Sequence, residues 1–179
     1  VGAIGIAATE DQPVALGDRV VHGDTIGGIV VAGDRGHPDP SITHFTGRDQ
    51  LDDFLGASRA VVNLLPNTEE TKGLLDRERL AAFAPGSIFV NIGRGTVIKE
   101  GDLLRALDAG SLRAAVLDVT DPEPPPPSSE LYEHPKVILT GHSAGMTMVS
   151  TASRVIADNI RRLRRGEPAY PLLDPDRGY

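Results

Sequence analysis

The chain has 179 residues, enough for one ordinary domain, and 40% of them are hydrophobic, so a packed core is within reach. A net charge of −7 and a pI near 5.2 argue against a nucleic-acid partner, because phosphate binding needs a basic surface. With no cysteine, disulfides, thiolate metal sites and cysteine nucleophiles are excluded, no metal site is expected, and the composition suits a reducing cytoplasm.

The first element is "VGAIG". Gly2 and Gly5, with Ala3 and Ile4 between them, have the spacing of the second and third glycines of a dinucleotide-binding loop. In such a loop the glycines let the backbone approach a pyrophosphate seated on a helix N-terminus. The first glycine and the strand that feeds the loop would lie ahead of Val1. Up to residue 45 the pattern is irregular. "ALGDRVVHGD" reads as a strand ending in Asp24, "DTIGG" as a turn, and "GGIVVAGDR" as a strand ending in Asp34. An acidic residue there would bind ribose hydroxyls and disfavour a 2′-phosphate. Asp34 lies on the better strand and Asp24 at the better spacing from Gly5. A plain surface-turn aspartate is an equal reading of either.

From Phe45 the pattern is regular. "GRDQLDDFLG" (47–56) reads as a helix, "AVVNLLP" (60–66) as a buried strand ended by proline, and "LLDRERLAAF" (74–83) as a helix. "SIFVNIG" (87–93) is a second strand, "KEGDLLRALDAG" (99–110) a helix, "AAVLDV" (114–119) a third strand and "KVILTG" (136–141) a fourth. A long closing helix spans 146–166, its basic end a solvated last turn, and a tail follows. The strands are short, apolar and rich in β-branched residues, as strands covered on both faces are. Alternating strands and helices predict an α/β fold with a doubly wound parallel sheet, incomplete at its N-terminus. No apolar run reaches membrane-spanning length.

Ligands of such sheets sit at the carboxyl ends of the strands. Those ends carry Pro66, Arg94 in "NIGRG", Asp118 and His142. A guanidinium can hold a carboxylate through two parallel hydrogen bonds, although a loop arginine is more often simply solvated. Asp118 could accept from a nicotinamide carboxamide or cap a turn. Glu123 lies in the stiff run "DPEPPPPSS", 19 residues before His142. If the two meet, the carboxylate fixes the imidazole tautomer and supports a proton donor. The competing reading is a chance proline loop and a histidine bonded to backbone.

These strings together resemble the D-isomer-specific 2-hydroxyacid dehydrogenases: "LLPNTEETKGLL", "FVNIGRGTVIKEGDLLRALDAGSL", "AAVLDVTDPEP" and "HPKVILTGHSAG", in order and at matching spacing. "FTGRDQLDDFL", "VVNLLPNT" and the final "DRGY" look most like the glyoxylate/hydroxypyruvate reductases among them. The resemblance covers Phe45 to Tyr179 and implies a Rossmann-like domain binding NAD or NADP. It implies His142 as acid/base, Glu123 as its partner and Arg94 as the binder of the substrate carboxylate and carbonyl. Asp118 would face the nicotinamide, and Leu65, Pro66, Thr71, Ile92 and Gly145 would line the cofactor. The implied reaction is reduction of a small 2-keto acid such as glyoxylate or hydroxypyruvate, in a family whose members are often dimers.

The sequence departs from the family pattern in three places. Gly141 stands where a proline usually precedes the histidine, the proline run is longer than usual, and the segment that builds the separate substrate domain is not present. The expectation is therefore a dinucleotide-binding domain over 1–179, truncated at its N-terminus, with the edges beside the missing central strand exposed. Asp34 favours NAD, whereas Arg35 and the subfamily resemblance allow NADP. Two other readings are a nucleotide-binding or interaction module without catalysis, and a degenerate product that does not fold stably.

Overall fold

The computed structural model describes residues 5–8, 15–16, 19–20, 29–32, 43–45, 47–145 and 147–170. It divides into two compact units, one ending at His142 and the other beginning at Ser143.

The first unit is built on a seven-stranded sheet. Its strands are β1 (Gly5–Ala8), β4 (Ile29–Ala32), β5 (Thr43–Phe45), β6 (Ala60–Asn63), β7 (Ser87–Asn91), β8 (Leu112–Leu117) and β9 (Val137–Leu139). The spatial order is β5-β4-β1-β6-β7-β8-β9. The strands β6 to β9 run parallel, as the alternating pattern predicts, and β4 and β5 also pair in parallel. Two further short strands, β2 (Ala15–Leu16) and β3 (Arg19–Val20), pair antiparallel with each other outside this sheet. The expected strand "ALGDRVVHGD" is thus a small ladder, whereas "GGIVVAGDR" supplies β4.

The middle of the sheet corrects one expectation. The position beside β6 is filled by β1, which lies antiparallel to both β4 and β6. Gly5 pairs with Ala32 and Asn63, so it opens a strand and does not close a phosphate loop. The physical reason is that two open strand edges present unpaired amides and carbonyls, and any extended segment at hand satisfies them. Gly2, Ala3, Ile4, Asp24 and Asp34 lie outside the described residues.

Three helices pack with one face of the sheet: α1 (Leu51–Gly56), α2 (Arg77–Ala82) and α3 (Glu100–Asp108). Their Phe54, Leu55, Leu80, Leu103 and Leu107 join Val61, Phe89, Leu112, Ala115 and Leu117 of the strands in one buried cluster. Phe89 meets Phe83 edge to face with ring centroids 6.2 Å apart, and Phe45 meets Phe54 at 6.0 Å. Fully burying a side chain of this size contributes roughly 2–3 kcal/mol. Along β7 the side chains of Ser87, Phe89 and Asn91 are buried while Ile88 and Val90 are half-buried. The same alternation holds in β6, and on β9 Ile138 is exposed. Burial on both faces was expected from the apolar runs. The strands instead alternate, because the core formed with α1–α3 lies on one side.

Helix starts follow local chemistry. Asp76 caps α2 by accepting from the Arg79 amide at 3.0 Å. The first turn of α3 holds Glu100 and Asp102, which complement the positive end of the helix dipole. In the second unit, α4 (Val149–Arg164) ends with Arg161, Arg162 and Arg164 in its last turn. Its Val149, Val155, Ile156, Ile160 and Leu163 are exposed. Among the described residues no helix is long and apolar enough to cross a membrane.

Candidate functional site

The carboxyl ends of β7, β8 and β9 lie side by side, and each carries one of the predicted polar residues. On the β9 side, His142 stands three residues past the strand. Its Nδ1 lies 2.6 Å from Oε1 of Glu123, which the loop after β8 brings back across 19 residues. The pair is open to solvent, with side chains 55% and 39% exposed. Its backbone is tightly set: the His142 amide donates to the Asp118 carbonyl at 3.0 Å, and His142 has φ 52°. A non-glycine residue held in the left-handed region costs on the order of 1–3 kcal/mol, which the surrounding hydrogen bonds must offset.

Asp118 follows β8 and is 4% exposed. Its Oδ1 accepts from the Thr140 hydroxyl, so the ends of β8 and β9 are joined by side chains as well as by the ladder. Asp118, Thr120, Glu123, Tyr132, Leu139 and His142 line a cavity of about 450 Å³. The Tyr132 hydroxyl donates to the Pro125 carbonyl at 2.9 Å and thereby ties the proline run to the cavity wall.

Arg94 does not line that cavity. It is exposed, with Nη1 donating to the Gly93 carbonyl at 2.7 Å, and among the described residues it has no carboxylate partner. Its backbone is held between two close approaches. A Cβ on Gly93 would lie 2.9 Å from the Asn63 side-chain nitrogen and from N and O of Leu65. A Cβ on Gly95 would lie 2.1 Å from C and O of Thr120. Neither position accepts a side chain without moving main chain, so the loop that presents Arg94 is wedged between the loops after β6 and β8. Thr120 is three residues from Glu123, which sets the guanidinium loop directly against the segment that carries the carboxylate.

The residues expected beside a cofactor fall on the next loops. Leu65 and Pro66 are half-buried just past β6, and Ile92 is half-buried just past β7. Thr71 is 5% exposed and its hydroxyl donates to the Pro66 carbonyl at 2.6 Å, so it shapes the Leu65–Pro66 turn from beneath. Gly145 belongs to the second unit and is exposed. Half-buried apolar surface beside a buried carboxylate, at the ends of adjacent parallel strands, fits the nicotinamide half of a dinucleotide. Leu65, Pro66, Ile92 and Asp118 would hold it. The described residues offer no glycine cradle for the pyrophosphate.

Two strand-end asparagines, Asn63 and Asn91, and Thr140 hold this site together and do not stand out as chemistry in the sequence. Their signal is faint: the apolar runs "AVVN" and "SIFVN" each close on an amide. Among the described residues no group of three or more histidines and carboxylates could hold a metal ion.

The NAD binding domain of the D-isomer specific 2-hydroxyacid dehydrogenases matches residues 24–144, more than half of the chain. A glyoxylate/hydroxypyruvate reductase A of Klebsiella pneumoniae (strain 342) is 43% identical over 140 residues, covering 78% of this chain and 45% of that protein. A D-isomer specific 2-hydroxyacid dehydrogenase from Xanthobacter autotrophicus Py2, solved with NADPH and MES, superposes with a TM-score of 0.79 at 39% identity. That match covers 84% of this chain and 62% of that one. An NADPH-dependent glyoxylate/hydroxypyruvate reductase from Sinorhizobium meliloti, solved with NADP and sulfate, gives 0.77 at 30% identity, covering 84% and 49%. The chain therefore spans about half the length of the curated relative it matches. With the parallel β6–β9 sheet and the order of its strand-end residues, this match makes the chain a member of the D-isomer specific 2-hydroxyacid dehydrogenase family, within its NAD-binding domain.

Proposed function

We propose that this chain is the dinucleotide-binding part of a reductase that converts a small 2-keto acid, such as glyoxylate or hydroxypyruvate, to its 2-hydroxy acid with NADPH or NADH. The observation that carries the reading is the 2.6 Å bond between His142 Nδ1 and Glu123 Oε1. With Nδ1–H given to the carboxylate, Nε2 is the nitrogen left to hand a proton to a substrate carbonyl oxygen and to recover one from solvent. Glu123 keeps the ring in that orientation and stabilises the charged imidazolium. Arg94, without a carboxylate partner among the described residues, is the group to grip the substrate carboxylate. The cofactor, when bound, supplies the hydride.

The NADPH and NADP bound in the Xanthobacter and Sinorhizobium relatives support NADPH as the preferred donor. The acidic net charge and the lack of cysteine support a cytoplasmic protein with neither nucleic acid nor membrane as partner. A homodimer completes the reading, supported by the family's habit alone.

The test is steady-state reduction of glyoxylate and hydroxypyruvate with each cofactor, by this chain and by its His142→Ala variant. Replacing the proton donor should lower kcat by about 10²–10⁴-fold while leaving NADPH affinity unchanged. Cofactor binding with no turnover, even with an N-terminal segment restored, would replace this reading with that of a non-catalytic nucleotide-binding module.

A further inference from the structure

Asn63 and Asn91 are the polar groups most deeply set beneath the Arg94 loop, at 4% and 0% exposure, on the adjacent parallel strands β6 and β7. They are paired in register, and Asn63 Nδ2 donates to Asn91 Oδ1 at 2.7 Å. Their remaining capacity goes to loop backbone. Asn63 Oδ1 accepts from the Leu65 amide at 3.1 Å, Asn91 Oδ1 accepts from the Gly93 amide at 3.2 Å, and Asn91 Nδ2 donates to the Arg94 carbonyl at 3.1 Å. The backbone partners fix which way each amide faces: an N–H must meet oxygen and a carbonyl must meet nitrogen.

We propose that Asn63 and Asn91 form a buried amide bridge that positions Arg94, coupling the cofactor-side turn at Leu65 to the loop that presents the guanidinium. Both are positioning residues, and the functional part of the inference rests on Arg94 being the carboxylate binder. Each side chain must donate and accept while uncharged. Leucine would strand the Leu65 and Gly93 amides, and aspartate would bury a charge. The close approach at Gly93 follows from the same packing, since a Cβ there would strike the Asn63 side chain and the Leu65 backbone. A bridge of this kind sets the height of the Arg94 carbonyl from below while Gly95 fixes the loop from the side.

The experiment has two readouts on the chain as it exists. The first is amide hydrogen exchange in Asn63→Ala. The Leu65 amide loses its own acceptor, so its exchange rises whatever the bridge does. The Gly93 amide bonds Asn91, so the proposal expects it to exchange about tenfold faster as well. Acceleration confined to Leu65 would overturn the bridge. The second is kcat/KM for glyoxylate, with NADPH affinity as the control. Asn63→Ala should lower kcat/KM by about 10–100-fold in the parent and have little further effect in an Arg94→Lys background. An equal loss in both backgrounds would make Asn63 merely structural. If Asn63→Ala does not fold, Asn63→Ser carries both readouts, because its hydroxyl is uncharged and too short to reach Asn91 Oδ1. Lack of turnover even with an N-terminal segment restored would defeat the function proposed above, while the exchange result would still decide whether the bridge exists.

Discussion

The two halves of the candidate site are built in opposite ways. The Arg94 loop is held by its main chain: buried amides from below, and glycines pressed against neighbouring backbone on two sides. Its side chain is left at the surface. The His142–Glu123 half is held by its side chains, with a short bond between two exposed groups and a backbone kept in the left-handed region by the amide bond to Asp118. A group that must grip a fixed anion gains from a rigid base. A group that must move a proton needs contact with water to be reprotonated. Stability and chemistry are thus separable in this arrangement: damage to the first half should unfold the loop, and damage to the second should silence it.

The sharpest way to break that contrast is Gly95→Ala. A Cβ 2.1 Å from the Thr120 carbonyl must displace main chain, so we expect a loss of about 3 kcal/mol in denaturant unfolding, at the upper end of overpacking costs. A neutral result would show that the loop is soft. Next is Glu123→Gln. It should lower kcat by roughly 10²-fold, yet shift stability by less than about 1 kcal/mol, because the pair is exposed. A large stability loss with normal turnover would reverse the roles assigned to the two halves.

A smaller effect of opposite sign is expected at Gly141, which precedes the histidine. It lies outside the left-handed region, and a Cβ there meets nothing within 4 Å. Gly141→Ala should therefore raise the melting temperature, by about 0.4–1 kcal/mol of added stability, through a stiffer unfolded chain. Destabilisation would mean that the turn needs the freedom glycine gives.

The smallest effect lies in the second unit and serves as a control on residues outside the candidate site. Arg165 donates two hydrogen bonds to Glu167, at 2.7 and 3.0 Å, which hold the Glu167 carboxyl below the usual carboxylate range. A group depressed in the folded state contributes stability above its unfolded pKa, and that contribution is lost as pH falls through the lower folded value. Carbon-detected titration of Glu167 in the parent and in Arg165→Gln should show the depression vanish with the arginine. Because the pair lies at the surface, with side chains 58% and 42% exposed, the difference should also shrink in high salt.

How much of this was legible in advance differs between elements. The strands β6, β7 and β9 and helices α1 to α4 fall inside the segments read from hydrophobic periodicity, since a strand or helix of that length writes its own pattern, while β8 begins two residues ahead of the segment read for it. The cap at Asp76 is equally local, yet the segment read as helix from residue 74 ran past it. The region before Phe45 was misread in part because its short strands depend on what lies beside them: Gly5 looks like a phosphate-loop glycine in sequence and pairs as a strand in the sheet. Burial on one face of the sheet was illegible for the same reason.

From the amino-acid order alone come the succession of elements after Phe45 and the places of Arg94, Asp118 and His142, each just past an apolar run; Glu123 lies further on, in the proline run. Which of these residues meet is settled only in the folded chain. The His142–Glu123 bond spans 19 residues, the Asn63–Asn91 bridge spans 28, and Gly95 packs on Thr120 from another strand's loop. Periodicity is a local property of a chain, carried by neighbours in sequence. A hydrogen bond or a steric contact depends on distance in space, which is set only once the parallel strands have chosen their partners and register.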